Sequence, residues 1–205
     1  MGDYHTSGSR VRTSKNKRIT KETEVEVEVI IDGTGRADVK TGLSFIDHLI
    51  ASLAKHSMID IDLKAVSNDG ILHHLVEDIA TALSQSIDKA LSQRSQITRF
   101  GYATVPMDET LAHVALDLVK RQFHNMRLKL TTGAVEGIPS EEVEHFMRSL
   151  VQNLNACTHI TVEYGDNDHH KIESTIKAFA LAFRMAASID NRLDKGVVPS
   201  TKGAM

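Results

Sequence analysis

One five-residue pattern occurs twice, and it constrains the fold more than any other feature. His73-His74-Leu75-Val76-Glu77 and His169-His170-Lys171-Ile172-Glu173 share the form His-His-x-x-Glu. A further histidine stands upstream of each, His48 and His145, and a Glu-Thr pair also recurs, Glu22-Thr23 and Glu109-Thr110. Glu22, His48, His73 and His74 precede their counterparts by 87, 97, 96 and 96 residues. A tandem duplication with a small insertion or deletion produces such spacings, and it commits the chain to two similar halves.

The hydrophobic pattern follows the same division. Val25, Val27 and Val29 alternate with Glu24, Glu26 and Glu28, the period of a half-buried strand. The turn Asp32-Gly33-Thr34-Gly35 follows, then a short strand through Val39. Ser44 stands three residues before Asp47, a capping-box signal for a helix. Ile59, Ile61, Leu63 and Ala65 alternate as a strand, and a helix is expected from about His73 with Ile79, Leu83, Ile87 and Leu91 in register. The second half repeats the order. Ala112 to Leu118 alternate, as do Met126, Leu128 and Leu130. Pro139-Ser140-Glu141-Glu142 starts a helix with acids in its first turn. Ile160, Val162 and Tyr164 mark a strand, and a last helix is expected from about Lys171 to Ile189. Each half thus reads strand, strand, helix, strand, helix. The expected fold is α+β: two similar halves, each a small β-sheet backed by helices. Residues 1–17 read as a mobile arm containing an idle His5, 18–95 and 96–192 as the halves, and 193–205 as a tail.

The repeated polar residues point to metal. On a helix, His73 and Glu77 share a face, but His73 and His74 diverge by roughly 100°. One helix therefore cannot grip one ion with both histidines. Two ions, each taking one His of a pair, satisfy the geometry, with His48 and His145 as natural third ligands. The ions could sit between the halves or between subunits. An imidazole and carboxylate set without thiolate disfavours a structural zinc site of the cysteine type and suits Mn, Fe or Zn with open positions. His113 and His124 lack repeated partners and read as structural; His159 alternates outward from Ile160 on a strand and reads as solvated or packing; the pattern leaves His56 open.

Composition removes other classes. With 205 residues, 41% hydrophobic and 25% charged, the chain can bury a real core. A net charge of -3 argues against binding nucleic acid by bulk charge, and 4% aromatics leave little for base stacking. No apolar run approaches a bilayer span or a secretory signal, so neither a membrane location nor a leader is expected. The single Cys157 cannot form an internal disulfide, and a cytoplasmic location fits.

From about Arg18 to the C-terminus the chain resembles the imidazoleglycerol-phosphate dehydratase family. The resemblance rests on Thr20-Lys21-Glu22-Thr23, Thr41-Gly42-Leu43-Ser44-Phe45-Ile46-Asp47-His48, His73-His74-Leu75-Val76-Glu77-Asp78, Arg99-Phe100-Gly101 and Pro106-Met107-Asp108-Glu109. It continues with Glu144-His145-Phe146, Asn167-Asp168-His169-His170, Glu173-Ser174 and Pro199-Ser200-Thr201-Lys202-Gly203. It implies a lyase of histidine biosynthesis that removes water from D-erythro-imidazole glycerol phosphate to give imidazole acetol phosphate. It implies two Mn(2+) ions per active site, other divalent metals being possible, and homo-oligomers in which trimers assemble to a 24-mer with metal sites at subunit contacts. By the matching positions, His48, His73, His74, Glu77, His145, His169, His170 and Glu173 would be metal ligands. Arg99, Arg121, Ser200 and Lys202 would bind phosphate, Glu22, His56 and Lys177 would make further substrate contacts, and Glu22 would be the acid-base group. Metal on the substrate imidazole would favour its anionic form, whose electrons expel the side-chain hydroxyl through a diazafulvene-like intermediate.

Three departures accompany the match. Ile71-Leu72 stands where the family carries an acidic pair, the loop there is about one residue shorter, and Val119-Lys120-Arg121-Gln122 replaces Ser-Gly-Arg-Pro. Acidic neighbours orient ligating histidines, so the first departure bears on one metal site. Two other functions compete: a metal-assembled structural or regulatory protein without turnover, and a related lyase acting on another phosphorylated substrate. Glu22, Arg99, Arg121 and Lys202 favour the enzyme, since metal assembly alone has no use for them.

Overall fold

The computed structural model describes residues 11–204. Two four-stranded sheets carry the chain. The first contains β1 (Thr13–Ile19), β2 (Thr23–Ile30), β3 (Ala37–Lys40) and β4 (Asp60–Ser67), with α1 (Ser44–Ser57) before β4 and α2 (Leu72–Leu91) after it. The second contains β5 (Phe100–Met107), β6 (Thr110–Asp117), β7 (Phe123–Arg127) and β10 (Cys157–Tyr164). The small hairpin β8 (Ala134–Val135) and β9 (Ile138–Pro139) and the helix α3 (Ser140–Gln152) precede β10, and α4 (Asp168–Ala187) follows it. The strand orders are β1-β2-β4-β3 and β5-β6-β10-β7, the same topology twice.

Each four-stranded sheet has one more strand than expected, and the second half adds the β8–β9 hairpin. Thr13–Lys17 belong to β1, not to a mobile arm; residues 1–10, with His5, lie outside the described residues. β1 pairs antiparallel with β2 from Thr13↔Ile30 to Ile19↔Glu24. It is an edge strand whose Lys17 reaches Glu24 and Glu26 at 2.6 and 2.5 Å. Charges on an edge protect it from pairing with other chains, and they also erase the apolar alternation by which a strand is read. Its counterpart β5 runs Phe100–Met107.

Helix ends also differ from expectation. The Ser44 capping box does not form: Leu43 is the N-cap and makes no side-chain cap. Asp47 instead accepts from the Thr41 amide and hydroxyl at 3.0 and 2.6 Å, tying the loop to the first turn. α4 begins at Asp168 because the Asn167 side chain caps the amides of His169 and His170. Both histidines therefore sit in a defined first turn. β7 ends at Arg127 because Lys129 has φ 56°, so Leu128 and Leu130 lie beyond the strand.

Packing crosses the two halves. Each long helix covers its own sheet, α2 on β1 and β2, α4 on β5 and β6. The core behind them includes Val25, Val27, Ile61, Leu63, Ile79 and Leu83, and Val114, Ile160, Ile176 and Phe183. Gly101 lets α4 approach β5: a Cβ there would lie 1.9 Å from the Ala182 carbonyl. The shorter helices pack on the opposite half's long helix, α1 on α4 and α3 on α2. No helix of the described residues is long and apolar enough to cross a membrane.

Candidate active site

That exchange of helices assembles the repeated histidines. His48, from α1, meets His169 and Glu173, from the first two turns of α4. His145, from α3, meets His73 and Glu77, from α2. In each group the ligand atoms lie within 4.8 Å of one another. Each group takes two residues from one half and one from the other.

In the first group, Nε2 of His169 and of His48 lie 2.9 and 3.2 Å from Glu173 Oε2. Glu173 is nearly buried, and burial pushes its carboxyl up. Hydrogen bonds from Lys177, His48 and His169 outweigh that and hold it down at about 2. The far nitrogen of His169, Nδ1, lies 3.0 Å from Glu136. Phe45 stacks near both rings, with centroids 6.4 Å from His48 and 5.2 Å from His169. Ser44, Phe45, His48, Glu136, His169 and Glu173 line a pocket of about 340 Å³.

In the second group, His73 stacks on His145 with centroids 4.3 Å apart, and His73 Nδ1 lies 2.9 Å from Glu142. His145 Nε2 is buried, takes no hydrogen bond, and faces Glu77 Oε2 at 3.9 Å. A buried polar atom without a partner is costly. A cation between His145, His73 and Glu77 would remove that cost, and carboxylates on the far ring nitrogens of His73 and His169 are the usual outer support of a metal-bound imidazole. The donors present fit a divalent transition metal of the nitrogen and oxygen type.

Six of the eight expected ligands thus converge in two clusters. Of the other two, His74 groups instead with Glu22 and Asp69, their ligand atoms also within 4.8 Å of one another, and His170 joins no such group among the described residues. His74 Nδ1 lies 2.7 Å from Asp69, and His170 Nδ1 lies 2.8 Å from Glu109. The bond to Asp69 raises the His74 imidazole above its ordinary value. Glu109 is held well below the carboxylate range by the Asn167 amide and by His170. Glu22 lies in the bend between β1 and β2, exposed, 3.8 Å from His74 Nδ1, and its carboxylate accepts no hydrogen bond among the described residues.

The remaining expected residues fall in two places. Lys177 is 2.8 Å from Glu173 Oε1. His56, in the last turn of α1, is lowered by its own burial and by the Lys177 charge, which favours a neutral ring. Arg99, Arg121, Ser200 and Lys202 share a separate pocket of about 460 Å³ with Val119, Lys120, Thr201 and Ala204. Arg99 donates to both Asp117 oxygens at 2.7 and 2.9 Å and to the Pro199 carbonyl at 2.9 Å, which brings the tail to the pocket. No residue lines both this pocket and the one around His48 and His169.

Sequence reasoning missed Asp69, Glu109, Glu136 and Glu142 as partners of the histidines. Only Glu109 carried a signal, as the repeat of Glu22.

A family model described as imidazoleglycerol-phosphate dehydratase matches residues 41–183. An imidazoleglycerol-phosphate dehydratase of Dehalococcoides mccartyi (strain CBDB1) is 43% identical over 194 residues, covering 95% of this chain and 97% of its own. Among solved structures, the imidazoleglycerol-phosphate dehydratase of Staphylococcus aureus subsp. aureus N315 superposes with a TM-score of 0.78 at 28% identity, covering 86% of this chain and 99% of the other. That of Pyrococcus furiosus, crystallised with (S)-C348, gives 0.77 at 30% identity, covering 93% and 100%.

Proposed function

The chain belongs to the imidazoleglycerol-phosphate dehydratase family, hydro-lyases of histidine biosynthesis, and from that premise we propose that it dehydrates D-erythro-imidazole glycerol phosphate to imidazole acetol phosphate with two Mn(2+) ions per active site. The observation that carries this reading is the pair of clusters His48, His169, Glu173 and His73, Glu77, His145, each closed across the two halves. Manganese is our choice among nitrogen- and oxygen-ligated metals, and other divalent ions fit the same donors. When bound, the cations supply Lewis acidity at the substrate's imidazole nitrogens.

The chain's own residues do the rest. The Glu22 carboxylate lies beside His74, 3.8 Å from its Nδ1, and takes no hydrogen bond among the described residues. It takes the proton from the second side-chain carbon of the substrate, while the hydroxyl leaves from the carbon that bears the ring; proton and hydroxyl together make the water, and the enol so formed ketonises to imidazole acetol phosphate. Lys177 holds Glu173 by its second oxygen and keeps Oε2 turned towards His48 and His169. His56, kept neutral, adds a hydrogen-bonding group without a competing charge. Arg121, Lys202, Ser200 and the uncommitted N–H groups of Arg99 bind the phosphate and fix the far end of the substrate.

The phosphate pocket and the His48 pocket have no residue in common, and His74 and His170 stand apart from both clusters. These placements support a composite site, in which His74 and His170 complete shells in neighbouring copies. Trimers assembling to a 24-mer are the arrangement we propose, in the cytoplasm. The test is an assay of the chelator-stripped protein with imidazole glycerol phosphate, with and without added Mn(2+). Metal-dependent formation of imidazole acetol phosphate is expected. No product above the metal-free control removes the reading in favour of a protein that binds metal without turnover.

A further inference from the structure

The two histidine dyads are held by different means. In the second half, Glu109 Oε1 accepts the amides of Asp166 and Asn167 at 3.1 and 2.8 Å, and Oε2 lies 2.8 Å from His170 Nδ1. One carboxylate thus grips both the approach to α4 and the second histidine of the dyad. By the repeat, Glu22 would do this for His74. It does not: Glu22 is 3.8 Å from the ring. The α2 terminus is also bare of acids, with Ile71 as an N-cap that makes no side-chain bond. Asp69 takes the place of both. Its Oδ1 accepts the Ile71 amide at 2.9 Å, and its Oδ2 lies 2.7 Å from His74 Nδ1. The turn at Gly70, φ 76°, makes room for this by bending the chain just before α2.

We propose that Asp69 is a positioning residue that fixes the His74 ring through Nδ1, so that Nε2 is the nitrogen offered to a divalent cation and Glu22 is left free of the ring. The inference rests on the proposed metal-dependent reading of the site. It makes the loss of the acidic pair at Ile71-Leu72 a relocation of the carboxylate, and it explains why Glu22, not its repeat Glu109, is available for proton transfer. Glu109 is committed to holding His170; Asp69 relieves Glu22 of the same task. A carboxylate on the far nitrogen sets the tautomer and the basicity of the coordinating one.

Asp69→Asn separates the two roles of the side chain. Its amide oxygen still accepts the Ile71 N–H, while the carboxylate facing His74 is gone. The chelator-stripped full chain is titrated with Mn(2+) alone by calorimetry, and its metal-free melting is followed in parallel. The wild type is expected to show two classes of site. Asp69→Asn should weaken one class by roughly ten- to a hundredfold, leaving the other class and the melting temperature unchanged. Glu109→Gln should weaken the other class. Asp69→Ala should lose the affinity and also melt earlier. Wild-type affinity at both classes in Asp69→Asn overturns the inference, as does equal weakening of both classes together with earlier melting. A wild type that binds no Mn(2+) removes the underlying reading of the site, and the inference with it.

Discussion

His48 Nε2 lies 3.2 Å from Glu173 Oε2, and the two residues come from opposite halves of the duplicated chain. The contact exists because α1 packs on α4. Replacing His48 therefore removes a donor from a cluster whose other members, His169 and Glu173, belong to the other half. His48→Ala is expected to lower the Mn(2+) retained per chain, measured by elemental analysis after gel filtration. His113→Ala is the control, since that ring is engaged with Thr104 at 2.7 Å and joins neither cluster. Unchanged metal content in His48→Ala contradicts the ligand assignment.

Glu22 is exposed and makes no side-chain hydrogen bond among the described residues, so its replacement disturbs little else. Glu22→Gln keeps the shape and removes the base. We expect kcat to fall by roughly 10²- to 10⁴-fold, with metal content and assembly intact. Steady-state kinetics and gel filtration measure the two together. Normal turnover discards the acid-base role.

The duplication and the eight repeated ligand candidates could be read from residue identity and spacing, because metal ligands come from a short list of side chains. The exchange of α1 and α3 between halves could not. Periodicity shows that Phe45, Leu49 and Leu53 form an apolar face, but it does not say which helix covers them. β1 was hidden for another reason: Lys15 and Lys17 sit on a strand whose partners Glu28 and Glu26 are charged, so no alternation survives. Asp69, Glu136 and Glu142 reach their histidines from loops and a neighbouring helix at no fixed spacing, and nothing in the local sequence marks them.

Asp168 and Lys171 form a buried ion pair, 2.7 Å apart, with both side chains 2% exposed. Asp168 also accepts from Thr131 and Thr132, which pins the start of α4. The corresponding residues of the first half are Leu72 and Leu75, so one fold uses an ion pair and an apolar pair at equivalent sites. Asp168→Ala leaves Lys171 charged in the interior and is expected to cost about 3–5 kcal/mol. Replacing both residues by Leu should recover much of the loss, as read by thermal denaturation. A double variant no more stable than Asp168→Ala contradicts this account.

The same pair sets an acid response. Burial pushes the Asp168 carboxyl up, but hydrogen bonds from Lys171, Thr132 and Thr131 outweigh it and hold the group well below the carboxylate range. A group lowered in the folded state stabilises it fully above its unfolded value, about 3.9, and loses that contribution as pH falls through the folded value. The melting-temperature gap between wild type and Asp168→Asn should therefore be constant near neutrality and narrow below about pH 4. A gap that widens on acidification has the wrong sign.

The phosphate pocket holds cations in unequal states. A guanidinium has five N–H donors, and Arg99 spends three of them on Asp117 and Pro199. Its charge is largely answered by Asp117, whereas Arg121 and Lys202 make no ion pair among the described residues. An incoming phosphate therefore gains most from Arg121 and Lys202, while Arg99 chiefly holds the tail that carries Ser200 and Lys202. Lys202→Ala and Arg121→Ala should each lower kcat/KM by roughly ten- to a hundredfold, the worth of one charge-assisted hydrogen bond, without changing the melting temperature. Inhibition by inorganic phosphate should weaken in parallel. Arg99→Ala should lower the melting temperature as well, because it leaves Asp117 unpaired and releases Pro199. Unaltered kcat/KM in both the Arg121 and the Lys202 variants would show that the substrate's phosphate binds elsewhere.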